Sequence, residues 1–360
     1  MTNIVLESQA LLQEEKRKKK TLALKNPPSR KKSKKCNCSV SLSELVNNER
    51  LCISFTGFAP ELLSTFLAQF DSIFQPESSF TAGRRSTQTA EIRGIFLLNY
   101  FRNAPSMRSS GLLFGLSCST LEKILRDVVP RLLPVISDIS FANSRASMTV
   151  PFENFPNCFV AIDCTFVNHP PPPSLSFEEA KGYFSVKHGS YGYKWLAAVN
   201  SSGQLLFLSK MFPAGVNDFA VCTDNSVLPK LRELCGNNYV LADKGFIGLQ
   251  NYMNSIIPTK KSKNRRLSIG EVENNPKIAK SRILVENFFG RMKVVWTLFA
   301  GCGKIHVQNF SERFQLAAHL TNVHIFKKPL RKKSKEVAAA DDDTIPDEYQ
   351  QEAVEDSSEE

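Results

Sequence analysis

The sequence lacks the usual features of a secreted, membrane-spanning or zinc-binding protein. Its nine cysteines form no Cys-x-x-Cys pair, and the five histidines do not complete a zinc motif. We expect the cysteines to be reduced, as in an intracellular protein. No apolar run reaches about 18 residues, and no signal-peptide core follows Met1. Secretion and membrane insertion are therefore not expected, and no internal repeat is present.

The charge is uneven along the chain. The formal net charge is +11, but the last 25 residues carry 11 acidic and no basic side chains, so residues 1–335 have a net charge of +22. Residues 1–35 supply +8 of it, which leaves +14 on residues 36–335. So basic a region is typical of a protein that binds a polyanion. A solvated basic surface is the alternative, and charge alone does not decide between them.

Both ends of the chain are predicted to be disordered tails. Residues 1–40 contain basic clusters at 16–20 and 30–35 that flank Pro27 and Pro28. Two such clusters resemble a bipartite nuclear-import signal, which predicts a nuclear protein. A nonspecific nucleic-acid-binding tail explains them equally well. Residues 331–360 are basic first and then acidic, which is typical of a solvating tail.

Residues 41–150 are predicted to form an all-α domain with a helix-turn-helix. Gly115 supplies the turn, and Ser117 or Ser119 caps the following helix. In this motif the N-terminal residues of the second helix enter a major groove. Helical spacing predicts that four residues face the groove: Ser119, Glu122, Lys123 and Arg126. It predicts that Leu121, Ile124 and Leu125 pack inward. A purely structural helical bundle is the alternative.

Residues 151–330 are predicted to form an α/β domain around a mixed sheet. Strands are indicated at 158–167, 194–199, 204–212 and 238–242, with a hairpin turn at 200–203. A long helix is indicated at 276–300. A series of strands followed by such a helix favours a sheet covered by helices.

Three acidic residues stand in unusual places in this α/β region. Asp163 and Asp243 interrupt or end apolar strand-like runs, and Glu286 lies in the long helix beside its apolar stripe. A buried carboxylate stays ionised only if it is paired, hydrogen-bonded or metal-bound. Converging carboxylates suit two hard divalent cations, which can clamp the attacking and leaving oxygens of a phosphodiester. Asp alone at a strand end is often only a turn residue, but all three together favour a metal site.

Five segments carry a resemblance to a known family. They are Ala161–Asp163, Lys187–Lys194, Phe212–Asp218, Leu241–Gly248 and Arg282–Lys293. In this order and spacing they resemble the catalytic domain of DDE superfamily nucleases, Harbinger-type transposases in particular. The resemblance implies an RNase H-like fold, with a mixed five-stranded sheet flanked by helices. It also implies that Asp163, Asp243 and Glu286 are the catalytic and metal-binding triad, with two Mg²⁺ or Mn²⁺ ions.

Asp218 and Lys244 have less certain roles. Asp218 aligns with an aspartate of the family that could orient a metal-bound water or the DNA, but capping of the helix that starts near Phe219 is slightly favoured. Lys244, next to Asp243, is a candidate partner for a carboxylate in the metal-free state. His319 and His324 are interpreted as core or surface residues, not as ligands.

Basic and polar residues are candidates for DNA contact, because Arg and Lys contacts to phosphates position DNA without reading its sequence. The predicted DNA-binding residues are Ser119, Lys123, Arg126, Lys187, Lys194, Lys260, Lys261, Arg265, Arg282, Arg291 and Lys293. For any one of them, an ordinary solvated side chain is the alternative.

The leading functional hypothesis is a metal-dependent transposase that cuts DNA at transposon ends and joins the ends to target DNA. The alternative is a domesticated nuclear DNA-binding protein that keeps the fold without cleavage. An interaction protein that uses the acidic tail is a third interpretation. Double-stranded DNA is the expected partner, and the resemblance implies a separate Myb-like DNA-binding protein. No membrane partner is expected, and a homo-oligomer is left open.

Overall fold

The computed structural model describes residues 41–76, 88–261, 266–301 and 309–330, all of which fall within one compact unit. The predicted tails at 1–40 and 331–360 lie outside the described residues.

Helices dominate the first half of the described chain, and strands and helices alternate in the second. The helices are α1 (Leu42–Val46), α2 (Glu49–Thr56), α3 (Pro60–Gln69), α4 (Asp71–Phe74), α5 (Ala90–Asn103), α6 (Met107–Phe114), α7 (Cys118–Ala146), α8 (Phe177–Lys181), α9 (Asp218–Cys222), α10 (Leu228–Cys235), α11 (Ile269–Val295) and α12 (Phe310–Lys327). The strands are β1 (Cys158–Asn168), β2 (Phe184–Ser185), β3 (Ser190–Val199), β4 (Leu205–Leu208), β5 (Phe212–Pro213), β6 (Tyr239–Leu241) and β7 (Ser255–Ile256). Single 3₁₀ turns span Lys244–Phe246, Leu249–Asn251 and Thr297–Phe299.

Capping residues set the ends of the helices that matter most for function. Gly115 ends α6 in the left-handed conformation (φ 64°), and the Ser117 hydroxyl accepts a hydrogen bond from the Thr120 amide at the start of α7. The predicted turn and cap are therefore confirmed. Helix α11 begins seven residues earlier than predicted, because Ser268 and Glu271 form a capping box and Pro276 is carried inside the helix.

The sheet is built around β1. Strand β3 pairs with it antiparallel on one side, and β6 pairs with it parallel on the other, followed by β7 parallel to β6. The outer edge of β3 is covered in turn by β2, β5 and β4, all antiparallel. Two strands, β4 and β5, replace the single strand predicted at 204–212. The expected mixed sheet flanked by helices is confirmed, although it has seven strands in the described residues and not the five that the resemblance implied.

The two faces of the sheet pack against different layers. On β1, Ala161 and Val167 belong to a large apolar cluster that continues into α2–α7, α11 and α12. Val160 and Ile162 point the other way, into a smaller cluster with α9 and α10. Because side chains alternate along a strand, Asp163 shares the face of Ala161. The residues of 41–150 thus pack on the same side of the sheet as the predicted catalytic helix.

The helical region also holds the end of α11 in place. Arg102 on α5 donates hydrogen bonds to the carbonyls of Val294 (2.7 Å) and Val295 (3.1 Å), which are unpaired groups at the C-terminus of α11. Trp296, fully buried, packs edge-on against Phe58 and Phe101. These contacts fix α11 against both the helices and the sheet.

Within the described ranges, no single helix is long and apolar enough to cross a membrane. One bent pair of helices, α2 with α3, has the length and apolar composition of a membrane span, and only these two properties suggest it. Its apolar side chains Leu63, Phe66 and Leu67 lie in the core.

A buried polar network joins α7, β4 and α12. The Asn322 side chain is fully buried, donates to Ser140 Oγ (2.7 Å) and Ser144 Oγ (2.8 Å), and accepts from the Leu205 amide (2.9 Å). A buried side-chain amide that hydrogen-bonds two other elements fixes their position relative to its own helix. Its loss leaves buried polar groups without hydrogen-bond partners.

We predict that Asn322→Ala lowers the free energy of unfolding by about 2–4 kcal/mol, because the Leu205 amide and the Ser140 hydroxyl lose their partner and the Ser144 hydroxyl keeps only its bond to the Ser140 carbonyl. Urea denaturation measures this loss. Gln315→Ala is the matched control, since Gln315 lies on the same helix and its amide bonds only the nearby Ser311 hydroxyl. Equal effects of the two substitutions would show that the network contributes nothing special.

Candidate active site

Asp163 lies in the middle of β1, the central strand of the sheet. Its side chain is 17% exposed. One carboxylate oxygen, Oδ1, accepts a hydrogen bond from the Cys164 amide at 2.8 Å. Strands on both sides hold the backbone of β1, so the carboxylate is carried by a rigid element.

Asp243 lies two residues beyond the end of β6, level with Asp163 of the neighbouring β1. Leu241 of β6 is paired with Ala161 of β1 in a parallel register, so each aspartate stands two residues further along the chain. The period of two places both carboxylates on the same face. Asp243 Oδ1 also accepts from the Lys244 amide at 2.7 Å, at the start of a 3₁₀ turn. The predicted strand-end position of Asp243 is therefore confirmed.

Arg282 connects the third acidic residue to the first. From α11, its Nη1 donates to Asp163 Oδ2 at 2.5 Å, and its Nη2 reaches Glu286 Oε1 at 2.8 Å. Helix α11 packs on the sheet through Leu284, Val285 and Phe288. The next turn places Glu286 beside Arg282, because residues four apart share a helix face. Glu286 remains half exposed, at 51%, so the site opens to solvent on this side.

The electrostatics link all three carboxylates to this one guanidinium. Burial raises the pKa of Asp163 to about 6; Arg282 and the Cys164 amide oppose the rise, and the charges of Asp243 and Glu286 add to it. Burial acts to lower the pKa of Arg282, but Asp163, Asp243 and Glu286 outweigh it and raise that pKa. Three acidic groups thus act on one positive charge, which is an excess of negative charge around the site.

The donor set has the right chemistry for a divalent cation. Carboxylate oxygens are the ligands that Mg²⁺ and Mn²⁺ prefer. Within the described residues, no three His, Cys, Asp or Glu side chains already form a group able to hold a metal. The positive charge between Asp163 and Glu286 is supplied by Arg282 itself, whereas the sequence indicated Lys244 as the candidate partner.

Asp218 lies beside Lys194 and Cys164. Asn217, not Asp218, caps α9, because its side chain accepts from the Ala220 amide at 2.6 Å. The capping role favoured for Asp218 is therefore wrong. Its carboxylate pairs with Lys194 at 2.9 Å and adjoins Cys164. Cys164 and Asp163 point to opposite faces of β1, and Asp218 also lies beside Gly245, two residues after Asp243.

A basic group adjoins the far end of β1, three residues beyond Asp163. The His188 ring stacks on Phe166, with centroids 4.3 Å apart, and Lys293 donates to the Phe166 carbonyl at 3.0 Å. Burial first, and then Lys187, Lys293 and Lys194, lowers the pKa of His188. Three of the predicted DNA-binding lysines are therefore close enough to act on one ring beside the catalytic strand.

The other predicted DNA-binding residues lie elsewhere or are not described. Arg291 Nη1 contacts His324 Nδ1 (3.1 Å) and the Lys328 carbonyl (3.3 Å) near the end of α12. Lys260 and Lys261 are exposed on the loop after β7, and Arg265 lies outside the described residues.

The first turns of α7 present the predicted faces. Ser119, Glu122, Lys123 and Arg126 are exposed, while Leu121, Ile124 and Leu125 are buried. This confirms the predicted faces and leaves DNA contact a prediction. His319 is buried against Phe141, as expected for a core residue.

The sequence analysis named Arg282 only as a DNA-binding candidate and missed its pairing role. The signal was present: an arginine four residues before a glutamate on a predicted helix is a spacing that favours an ion pair. The contact to Asp163, 119 positions away, had no local signal.

Comparison with known proteins agrees with this arrangement. Residues 162–322 match the family described as DDE superfamily endonuclease. The match confirms the resemblance to the DDE superfamily over the segment that holds all three carboxylates, and the narrower Harbinger-type assignment stays a prediction. No curated protein matches the chain. The piggyBac transposase in its cryo-EM synaptic complex with hairpin DNA is a similar solved structure, with a TM-score of 0.41, 12% identity, and coverage of 78% of this chain and 75% of that one. So distant a likeness carries no argument about function.

The raised pKa of Asp163 predicts a pH-dependent stability. Its ordinary value is 3.8 and its folded value about 6, so the folded state binds the proton more tightly. Stability is therefore lost as pH rises from about 4 through 6, by up to about 3 kcal/mol. Asp163→Asn removes this titration. In EDTA, urea denaturation should show the variant gaining stability relative to wild type between pH 4.5 and 7.5. A difference that is constant with pH would contradict the assignment.

Proposed function

We propose that this chain is a metal-dependent DNA transposase, which cuts phosphodiester bonds at transposon ends and joins the ends to target DNA. The observation that carries the proposal is the Arg282 guanidinium held between Asp163 and Glu286, with Asp243 placed beside Asp163 by the pairing of β1 with β6. DDE endonucleases generally use divalent metals. Two Mg²⁺ or Mn²⁺ ions, when bound, would activate the attacking hydroxyl and stabilise the leaving oxygen.

The elements that carry the three carboxylates support the proposal. Asp163 and Asp243 are fixed by neighbouring strands, and Glu286 by a helix packed on the same sheet. Rigid supports keep ligands within the small tolerance that in-line displacement demands. A protein that only binds DNA has no physical need for three carboxylates at one point of a basic surface, since each of them repels phosphate.

The basic residues supply the second part of the proposal. Lys187, Lys194 and Lys293 lie beside β1, where they would hold the backbone of double-stranded DNA near the carboxylates. Lys123 and Arg126 on α7 would add a groove contact farther along the duplex. A Myb-like partner protein, a homo-oligomer and a nuclear location complete the hypothesis.

Asp163→Asn and Glu286→Gln are expected to abolish strand cleavage in Mg²⁺ or Mn²⁺, because a hard cation loses an anionic ligand. DNA binding should be retained or tightened, since a negative charge leaves a basic surface. The assay pairs nicking of terminal-repeat DNA with binding of the same DNA. Glu178→Gln is the control, because Glu178 is exposed and pairs only locally with Lys181.

These outcomes separate the enzyme from a domesticated binder. Wild-type protein that binds its terminal repeats but nicks them in neither metal would contradict the transposase proposal and favour the binder. Loss of binding in both variants would contradict the expectation that these carboxylates act only in cleavage.

The double substitution Lys123→Ala and Arg126→Ala should weaken binding to duplex DNA and flatten its dependence on salt, because two phosphate or groove contacts are lost. Fluorescence anisotropy at several salt concentrations measures both effects. Arg50→Ala with Lys230→Ala is the matched control, since it removes the same charge from exposed positions on other helices. Equal effects of the two double substitutions on DNA binding would show that α7 makes no specific contact with DNA.

A further inference from the structure

Arg282 stands where a cation is needed and bridges two of the proposed metal ligands. Its guanidinium contacts Asp163 at 2.5 Å and Glu286 at 2.8 Å, with one nitrogen directed to each. The arginine side chain is 14% exposed and Asp163 is 17% exposed. An ion pair this enclosed is screened little by salt, so the guanidinium neutralises these carboxylates effectively.

A divalent cation and this guanidinium cannot hold the same oxygens in the same way. Coordination requires carboxylate oxygens about 2.0–2.6 Å from the ion. An ion shared by Asp163 and Glu286 would therefore lie between the two carboxylates. Arg282 Nη1 and Nη2 already occupy that side of Asp163 Oδ2 and Glu286 Oε1. A bound cation would also place a second positive charge next to the guanidinium, and the two positive charges would repel each other.

We propose that Arg282 is an internal cation that a divalent metal ion must displace, and that the released guanidinium then takes a phosphate of the DNA. The inference rests on the proposed function and names a positioning residue for it. Glu286 lies at the solvent edge of the site, half exposed, so the guanidinium has a way out on that side. A planar fork of donors that fits two carboxylates also fits two phosphate oxygens.

Metal and DNA binding then assist one another. DNA that binds Arg282 relieves the competition for Asp163 and Glu286, and a metal ion that binds these residues frees Arg282 for DNA. Such coupling is reciprocal by thermodynamic necessity. In the absence of DNA, the ion pair would keep the carboxylates poorly available to metal, which restrains the site until substrate arrives.

The first test measures Mn²⁺ binding to the full chain at pH 8, by counting free Mn²⁺ with electron paramagnetic resonance. Arg282→Gln removes the competing charge, so its dissociation constant for Mn²⁺ should be at least about fivefold lower than that of wild type. Arg282→Lys keeps a positive charge and should stay nearer to wild type. Arg131→Gln is the matched control, because Arg131 pairs with Asp127 at the same helical spacing and lies on α7.

The second test measures affinity for a labelled DNA duplex with and without Mn²⁺ at constant ionic strength. Wild type should bind the duplex more tightly when Mn²⁺ is present, and Arg282→Gln should lose most of that gain. Circular dichroism and urea midpoints establish that each variant is folded. If Arg282→Gln does not fold, Arg282→Lys carries the test, since its shorter reach to two carboxylates predicts a smaller but measurable gain in Mn²⁺ affinity.

The outcomes distinguish this inference from the proposed function. One outcome is that Asp163→Asn weakens Mn²⁺ binding while Arg282→Gln leaves it unchanged or weakens it. This result would overturn the displacement of Arg282 but would still support the metal site. Mn²⁺ binding that is unaffected by Asp163→Asn would overturn the metal site itself, and the inference with it.

Discussion

The pairing of a buried carboxylate with a nearby guanidinium is the constraint on which the site depends. Asp163 is placed in the middle of the central strand, where ionisation is costly, and burial raises its pKa to about 6. Arg282 offsets part of that cost and at the same time reaches Glu286. Nothing in the packing of the sheet requires an acidic residue at position 163, because its neighbours on that face, Ala161 and Val167, are apolar core residues. The energetic disadvantage of Asp163 is therefore consistent with the proposed role in metal binding.

Much of the remaining structure keeps these groups in register. The parallel pairing of β1 with β6 sets Asp163 level with Asp243. Helix α11 is anchored at its C-terminal end by Arg102 and Trp296, so the helical region of residues 41–150 contributes to the position of Glu286. The shared apolar cluster makes the helices and the sheet parts of one core. A substitution deep in that core, far from the carboxylates, would therefore be expected to disturb the site.

The sequence predicted most of what depends on local pattern, missed two local helix caps, and did not reveal the contact between distant positions. Alternating apolar residues gave the strands around Asp163 and Asp243, and helical spacing with Gly115 and Ser117 gave the α6–α7 turn. The start of α11 was misplaced, because Pro276 was taken as a boundary and the capping box at Ser268 was overlooked. Asp218 was assigned to a cap although the preceding Asn217 does this. The pairing of Arg282 with Asp163 joins positions 119 residues apart, which no local pattern encodes.

The most direct test of the central claim is a crystal structure of the protein soaked in Mn²⁺, with the metal located by anomalous scattering. The account predicts an anomalous peak about 2.0–2.6 Å from oxygens of Asp163, Asp243 and Glu286, with the Arg282 guanidinium turned away from them. A peak at other residues, with Arg282 still bridging Asp163 and Glu286, would contradict the assignment of this site as the metal centre.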